Sequence, residues 1–123
     1  MTTAFKPILY LKKGCPFCFK LRLFLLESGL LDGFVIREFA ENSEEERVLR
    51  SELSQHFDKV SFPSAQVEPG KYMKDSDALV GHFADRKGID AQRLPTFQEY
   101  VTGPFSTIMS LFKENSELKK RAA

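Results

Sequence analysis

The first clear pattern along the chain is an unbroken apolar run, Ile8-Leu9-Tyr10-Leu11, closed by Lys12, Lys13 and Gly14. A short run of this kind ending in charge and glycine predicts a buried strand that feeds a loop. From Cys15 to Ser28 the residues favour helix, with Pro16 suited to a first helical position and Gly29 to a C-terminal stop. Phe34, Val35, Ile36 and Phe39 read as a second strand, and Val48, Leu49, Leu53 and Phe57 carry the 3.6-residue period of a second helix. The acidic triplet Glu44-Glu45-Glu46 marks that helix's start: Asn42 or Ser43 can cap it, and carboxylates in a first turn complement the positive end of the dipole. Pro63, Ala65 and Val67 predict a third strand, Pro69-Gly70 a turn, Tyr72 and Met73 a short fourth strand, and Asp75 to Arg86 a third helix. The order is βαβαββα over residues of about 5 to 88. A parallel βαβ unit followed by a ββα unit predicts an α/β fold with one central mixed sheet and helices on its faces.

Residues 89–123 form a helical C-terminal extension to this 1–88 domain. Phe105, Ile108, Met109 and Phe112 recur at i, i+3, i+4 and i+7 after a Gly103-Pro104 helix start. An amphipathic terminal helix needs a surface to cover. The first helix offers one, because it carries two apolar stripes on roughly opposite sides: Phe17, Leu21, Phe24 and Leu25, and Phe19, Leu23, Leu26 and Leu30. One stripe faces the sheet. The terminal helix is the nearest cover for the other, and a dimer contact would serve as well, so the chain is expected to be a monomer or a dimer.

Composition narrows the function. Of the 123 residues, 42% are hydrophobic and 28% charged, the balance of an ordinary globular domain. A formal net charge of +1 gives no broad field to recruit a polyanion, so no nucleic-acid or membrane-surface role is expected. Met1 to Lys6 lacks the basic segment and apolar stretch of about 7 to 15 residues that a secretory signal needs. The expected location is therefore cytoplasmic, where thiols stay reduced and a structural disulfide across two intervening residues is disfavoured.

The two cysteines then require a chemical explanation. Gly14-Cys15-Pro16-Phe17-Cys18 places Cys15 at a helix start, where free N–H groups and the dipole stabilise a thiolate, with Lys12 and Lys13 nearby. Cys18 lies about one turn further on the same side, within reach of a mixed disulfide at Cys15. Cys15 is the expected nucleophile and Cys18 the resolving thiol. Half a zinc site looks the same, but no second cysteine pair exists, and His56 and His82 fall in separate expected helices. No metal is expected.

At Cys15-Pro16-Phe17-Cys18 the chain resembles the glutaredoxin family of the thioredoxin superfamily, and more loosely the N-terminal thioredoxin-like domain of glutathione transferases. Two further segments carry the resemblance. Ser61-Phe62-Pro63 is similar to the family's cis-proline segment, in which the residue before the proline offers its backbone to an extended thiol peptide. Asp75-Ser76-Asp77-Ala78-Leu79 is similar to the acidic-Ser-x-Ala-Ile segment that holds the γ-glutamyl end of glutathione. Helix-start N–H groups and the Ser76 hydroxyl can meet an α-carboxylate, and Asp75 or Asp77 an α-amino group. Met73-Lys74 stands where glutaredoxins usually carry two glycines. The resemblance implies a thioredoxin-like fold and a glutathione-dependent thiol-disulfide oxidoreductase. By that resemblance its catalytic residues are expected to be Cys15 and Cys18, and glutathione is expected along Lys12, Lys13, Phe17, Phe62, Pro63, Asp75 and Ser76. Glutathione is then a co-substrate rather than a bound cofactor, and disulfide-bearing or glutathionylated proteins are the partners. The alternative is a glutathione-binding or redox-sensing module without turnover.

Overall fold

A computed structural model describes residues 5–122 of the chain. Strand β1 (Ile8–Lys12) leads into helix α1 (Pro16–Glu27), and β2 (Val35–Phe39) into α2 (Glu44–Leu53). A hairpin of β3 (Ser64–Glu68) and β4 (Lys71–Lys74) is followed by α3 (Ser76–Lys87), α4 (Pro95–Thr102) and α5 (Pro104–Ala122). The four strands form one mixed sheet in the order β2-β1-β3-β4. β1 runs parallel to β2, with Ile8 opposite Val35 and Lys12 opposite Phe39, whereas β3 is antiparallel to both β1 and β4.

Successive residues of a strand point to opposite faces, and β1 uses both. Leu9 and Leu11 join Leu21, Phe24 and Leu25 of α1, Ala65 and Val67 of β3, Leu79 and Phe83 of α3, and Phe97 of α4 in one core. Tyr10 instead joins Phe39, Leu49 and Leu53 under α2. The helix ends follow from local chemistry. Ser43 accepts from the Glu46 N–H at 3.2 Å, and the Glu46 carboxylate returns to accept from the Asn42 N–H at 2.7 Å. Gly88, at φ 65°, closes α3 in the left-handed conformation that suits glycine.

The structure departs from the sequence reading in three places. α2 stops at Leu53, so Phe57 and His56 lie beyond it, in a tight turn whose Phe57 N–H still reaches the Leu53 carbonyl at 3.0 Å. The turn keeps Phe57 near the α2 core without a helix, and His56 stacks on Tyr72 at 3.7 Å. The cover for α1 is shared: α4, absent from the sequence reading, sets Phe97 against Phe24 and Tyr100 against Phe19, while α5 contributes Phe105 against Phe17. The second stripe of α1 is only partly covered: Leu23 and Leu30 are partly buried, while Phe19, beside Tyr100, and Leu26 are exposed. Finally, Lys20 of α1 is buried, paired with Asp77 of α3 at 2.6 Å and lying 4.5 Å from the centre of the Phe105 ring. That one ammonium ties α1, α3 and α5 together. No helix among the described residues is long and apolar enough to cross a membrane.

Candidate functional site

β1 ends at Lys12, Gly14 turns the chain at φ 76°, and Cys15 is the N-cap of α1 in extended conformation. A positive φ is inexpensive only for glycine, so Gly14 lets a buried strand deliver Cys15 to a helix start. The Cys15 sulfur accepts the Cys18 N–H at 3.4 Å, doing for α1 what a serine or aspartate oxygen does at other helix starts. The Cys18 sulfur, buried, accepts the Lys12 N–H at 3.4 Å. Both cysteines are free thiols.

This geometry splits their acidities. The Cys15 thiol is lowered to about 6, chiefly by a hydrogen bond from the Cys18 thiol. Burial opposes the shift, the Cys18 and Phe17 N–H groups add to it, and the Lys12 charge contributes least. Cys18 is pushed up, first because its proton serves Cys15, then by burial. Near neutral pH Cys15 is therefore largely a thiolate and Cys18 a thiol, the division that nucleophile and resolving group require. The lysines, which the sequence pattern placed as stabilisers of the anion, are minor: Lys12 is engaged with Glu41 at 3.1 Å.

Two depressions flank the cysteine segment. One, of about 250 Å³, is lined by Lys12, Cys15, Cys18, the Arg22–Glu38 ion pair and Tyr100. The other, of about 350 Å³, is lined by Phe17, Phe62, Pro63, Lys74, Asp75 and Ser76. Five residues of the sequence-derived set thus share one depression, Cys15, Cys18 and Lys12 share the other, and exposed Lys13 lines neither. The Phe62–Pro63 bond is cis, and the Pro63 carbonyl accepts the Asp75 N–H at 3.3 Å, joining the proline segment to the start of α3. Asp75 caps that helix through the Asp77 N–H at 3.1 Å. It does so at φ 84°, a conformation uncommon outside glycine, asparagine and aspartate. Asp77 is occupied by Lys20, which leaves Asp75 as the acid facing the depression.

Sequence reasoning missed Tyr100 and Lys74. The Tyr100 hydroxyl donates to the Pro16 carbonyl at 2.8 Å, directly beside the nucleophile. Its own proton is held more tightly than usual, first by burial and then by the Cys15 negative charge. The available signal was Pro95 followed by Phe97, Tyr100 and Val101 at helical spacing. Lys74 supplies a cation to the second depression, its ammonium held by the Lys59 carbonyl. Compared with models of known protein families, with curated proteins and with solved structures, the chain finds no match.

Proposed function

We propose that this chain is a glutathione-dependent thiol-disulfide oxidoreductase of glutaredoxin type, built on a thioredoxin-like arrangement of its sheet and helices. The observation that carries the reading is the Cys15 sulfur at the N-cap of α1, accepting the Cys18 N–H at 3.4 Å, with the buried Cys18 thiol one turn along the same helix. The Cys15 thiolate attacks the glutathionyl sulfur of a mixed disulfide. A bond forms between Cys15 and that sulfur, the old S–S bond breaks, and the substrate leaves as a thiolate that takes a proton from water. A second glutathione thiolate then attacks the glutathionyl sulfur on Cys15, releasing oxidised glutathione and restoring the Cys15 thiolate. With a protein disulfide, Cys18 loses its proton and attacks Cys15 of the mixed disulfide, so that the Cys15–substrate S–S bond breaks and the substrate leaves as a thiolate that takes a proton. Two glutathione thiols then reduce the Cys15–Cys18 disulfide, leaving as oxidised glutathione.

The second depression suits the tripeptide. Ser76 and the start of α3 can take the γ-glutamyl carboxylate, Asp75 its ammonium, and Lys74 the glycyl carboxylate, with Phe17, Phe62 and Pro63 as the apolar floor. Disulfide-bearing or glutathionylated proteins are the proposed partners, and a reducing compartment such as the cytoplasm the proposed setting. The test is glutathione-dependent reduction of a small mixed disulfide coupled to NADPH through glutathione reductase. Turnover should vanish in Cys15→Ser and persist in Cys18→Ser, because glutathione itself resolves the intermediate. A second reading, a redox sensor without turnover, is favoured by the Tyr100 wall beside Cys15. Formation of a Cys15–glutathione adduct with no catalytic turnover in the parent chain would select it.

A further inference from the structure

Among the described residues, the outer half of α5 has no partner in the fold. Every residue from Leu111 to Arg121 is exposed, including Leu111, Phe112 and Leu118, each more than half exposed. The inner half is anchored: Phe105 meets Phe17 and Tyr100 at 5.4 and 5.7 Å, and Met109 is partly buried. At about 100° per residue, Ile108, Leu111, Asn115 and Leu118 form a stripe centred roughly a third of a turn away from the side that Phe105 and Met109 present to the body. Ile108 is partly buried where the stripe leaves the body, and from Leu111 outward the helix can meet something else along this stripe without releasing its own domain.

The stripe has the spacing of a two-stranded coiled coil. Ile108 and Asn115 are seven apart and so are Leu111 and Leu118, which makes them a and d positions of successive heptads. A lone asparagine at an a position among apolar neighbours meets its own kind across a parallel, in-register pair of helices. In an antiparallel pair it would face a leucine and lose its hydrogen-bond partner. The flanking charges agree with the parallel arrangement. Glu114 falls at g and Lys119 at the following e, so each glutamate of one chain faces a lysine of the other, twice per pair. The outward positions Lys113, Ser116, Glu117 and Lys120 are polar.

We propose that α5 is a self-association helix, pairing with α5 of a second copy of this chain in a parallel coiled coil through Ile108, Leu111, Asn115 and Leu118. A seam of two heptads is short for an isolated peptide, but here the helix is already nucleated by the anchoring of its inner half on α1 and α4. The two-fold axis along the seam sets the two bodies side by side at one end of the helix pair.

Sedimentation of the full chain at about 100 µM should give twice the chain's mass. Leu111→Glu with Leu118→Glu should give the single-chain mass, with far-UV circular dichroism and Cys15 alkylation unchanged because both sites are exposed. Glu114→Lys and Lys119→Glu should each weaken the dimer several-fold, and an equimolar mixture of the two should restore it, because the mixed pair again sets opposite charges together. A single-chain mass for the parent, a dimer that survives the two glutamates, or a mixture no tighter than its components would overturn the proposal. So would a monomer that binds phosphatidylserine vesicles through the same leucines, which would make the stripe a membrane-facing one.

Discussion

Cys15 and Cys18 are identical side chains three residues apart, and the fold separates their titrations by making one an acceptor and the other a donor. The leading cause of the Cys15 acidity is the Cys18 thiol rather than a lysine, and this makes a sharp expectation. Cys18→Ala should move the midpoint of Cys15 alkylation upward from about 6, whereas Lys12→Met should move it little. Iodoacetamide rates measured against pH decide the matter, and an unchanged midpoint in Cys18→Ala would remove the thiol–thiol hydrogen bond from the argument. The same shift sets a pH dependence of stability. A thiol whose folded value lies below its ordinary 9.0 favours the folded state fully above 9.0, and that contribution is lost as pH falls through about 6. Cys18 carries the opposite sign, and its stabilisation fades only as pH rises above 9.0. The melting temperature of the reduced parent relative to Cys15→Ser should therefore widen between pH 6 and pH 9, and a flat difference would contradict the assignment.

At the scale of elements, the start of α3 and the docking of α4 make separable predictions. Asp75 both caps α3 and, in the proposed function, meets an ammonium. Asn retains the cap and tolerates positive φ, so Asp75→Asn should leave the melting temperature near the parent's while raising the KM for glutathione by about tenfold. Asp75→Ala should raise KM similarly and also cost about 1 kcal/mol of stability in urea unfolding. Equal KM values in all three chains would take Asp75 out of the site. α4 rests on Phe97, buried against Phe24, and Phe97→Ala should cost about 3 kcal/mol, the range for a buried aromatic truncation. The same elements show what a sequence reader can see. β1, α1, α2 and the Cys15–Cys18 pair were legible because their signals lie within a few residues: an apolar run, a proline at N1, Ser43 with Glu46, a cysteine spacing. α4 was not, because it has only 8 residues and Leu94 at its start offers no capping side chain. Its cap is Glu27, whose carboxylate accepts from Thr96 and Phe97 N–H groups at 3.0 and 2.7 Å across about seventy residues of chain. Tyr100 was hidden with it. Lys20–Asp77 escaped for the same reason, since nothing local marks which lysine will be buried or which acid will cross the fold to meet it.

At the scale of the whole molecule, the extension after Gly88 consists of two physically different parts. Ala91, Leu94, Phe97 and Val101 pack into the same core as β1, α1 and α3, and Glu27 and Tyr100 fasten α4 to α1 at its start and middle. Phe105 continues the contact through Phe17 and the buried Lys20. Beyond Ser110 no side chain through Arg121 is even partly buried. The βαβαββα part therefore does not own a complete core, although its element order reads as a self-sufficient domain. Truncation after Ser110 should leave the urea midpoint and the Cys15 titration close to those of the parent measured as a monomer, because every residue it removes from Leu111 to Arg121 is exposed. Truncation after Gly88 should leave Phe24 without the Phe97 ring and Lys20 without the Phe105 ring. The shorter chain should then unfold at markedly lower urea, bind a hydrophobic dye, and lose the depressed Cys15 midpoint as the start of α1 loosens. If residues 1–88 alone unfolded with the parent's midpoint and kept Cys15 near 6, α4 would be an appendage and Tyr100 a bystander. If truncation after Ser110 were as damaging as truncation after Gly88, the outer half of α5 would have a partner within its own chain, and its pairing with a second copy would lose its basis.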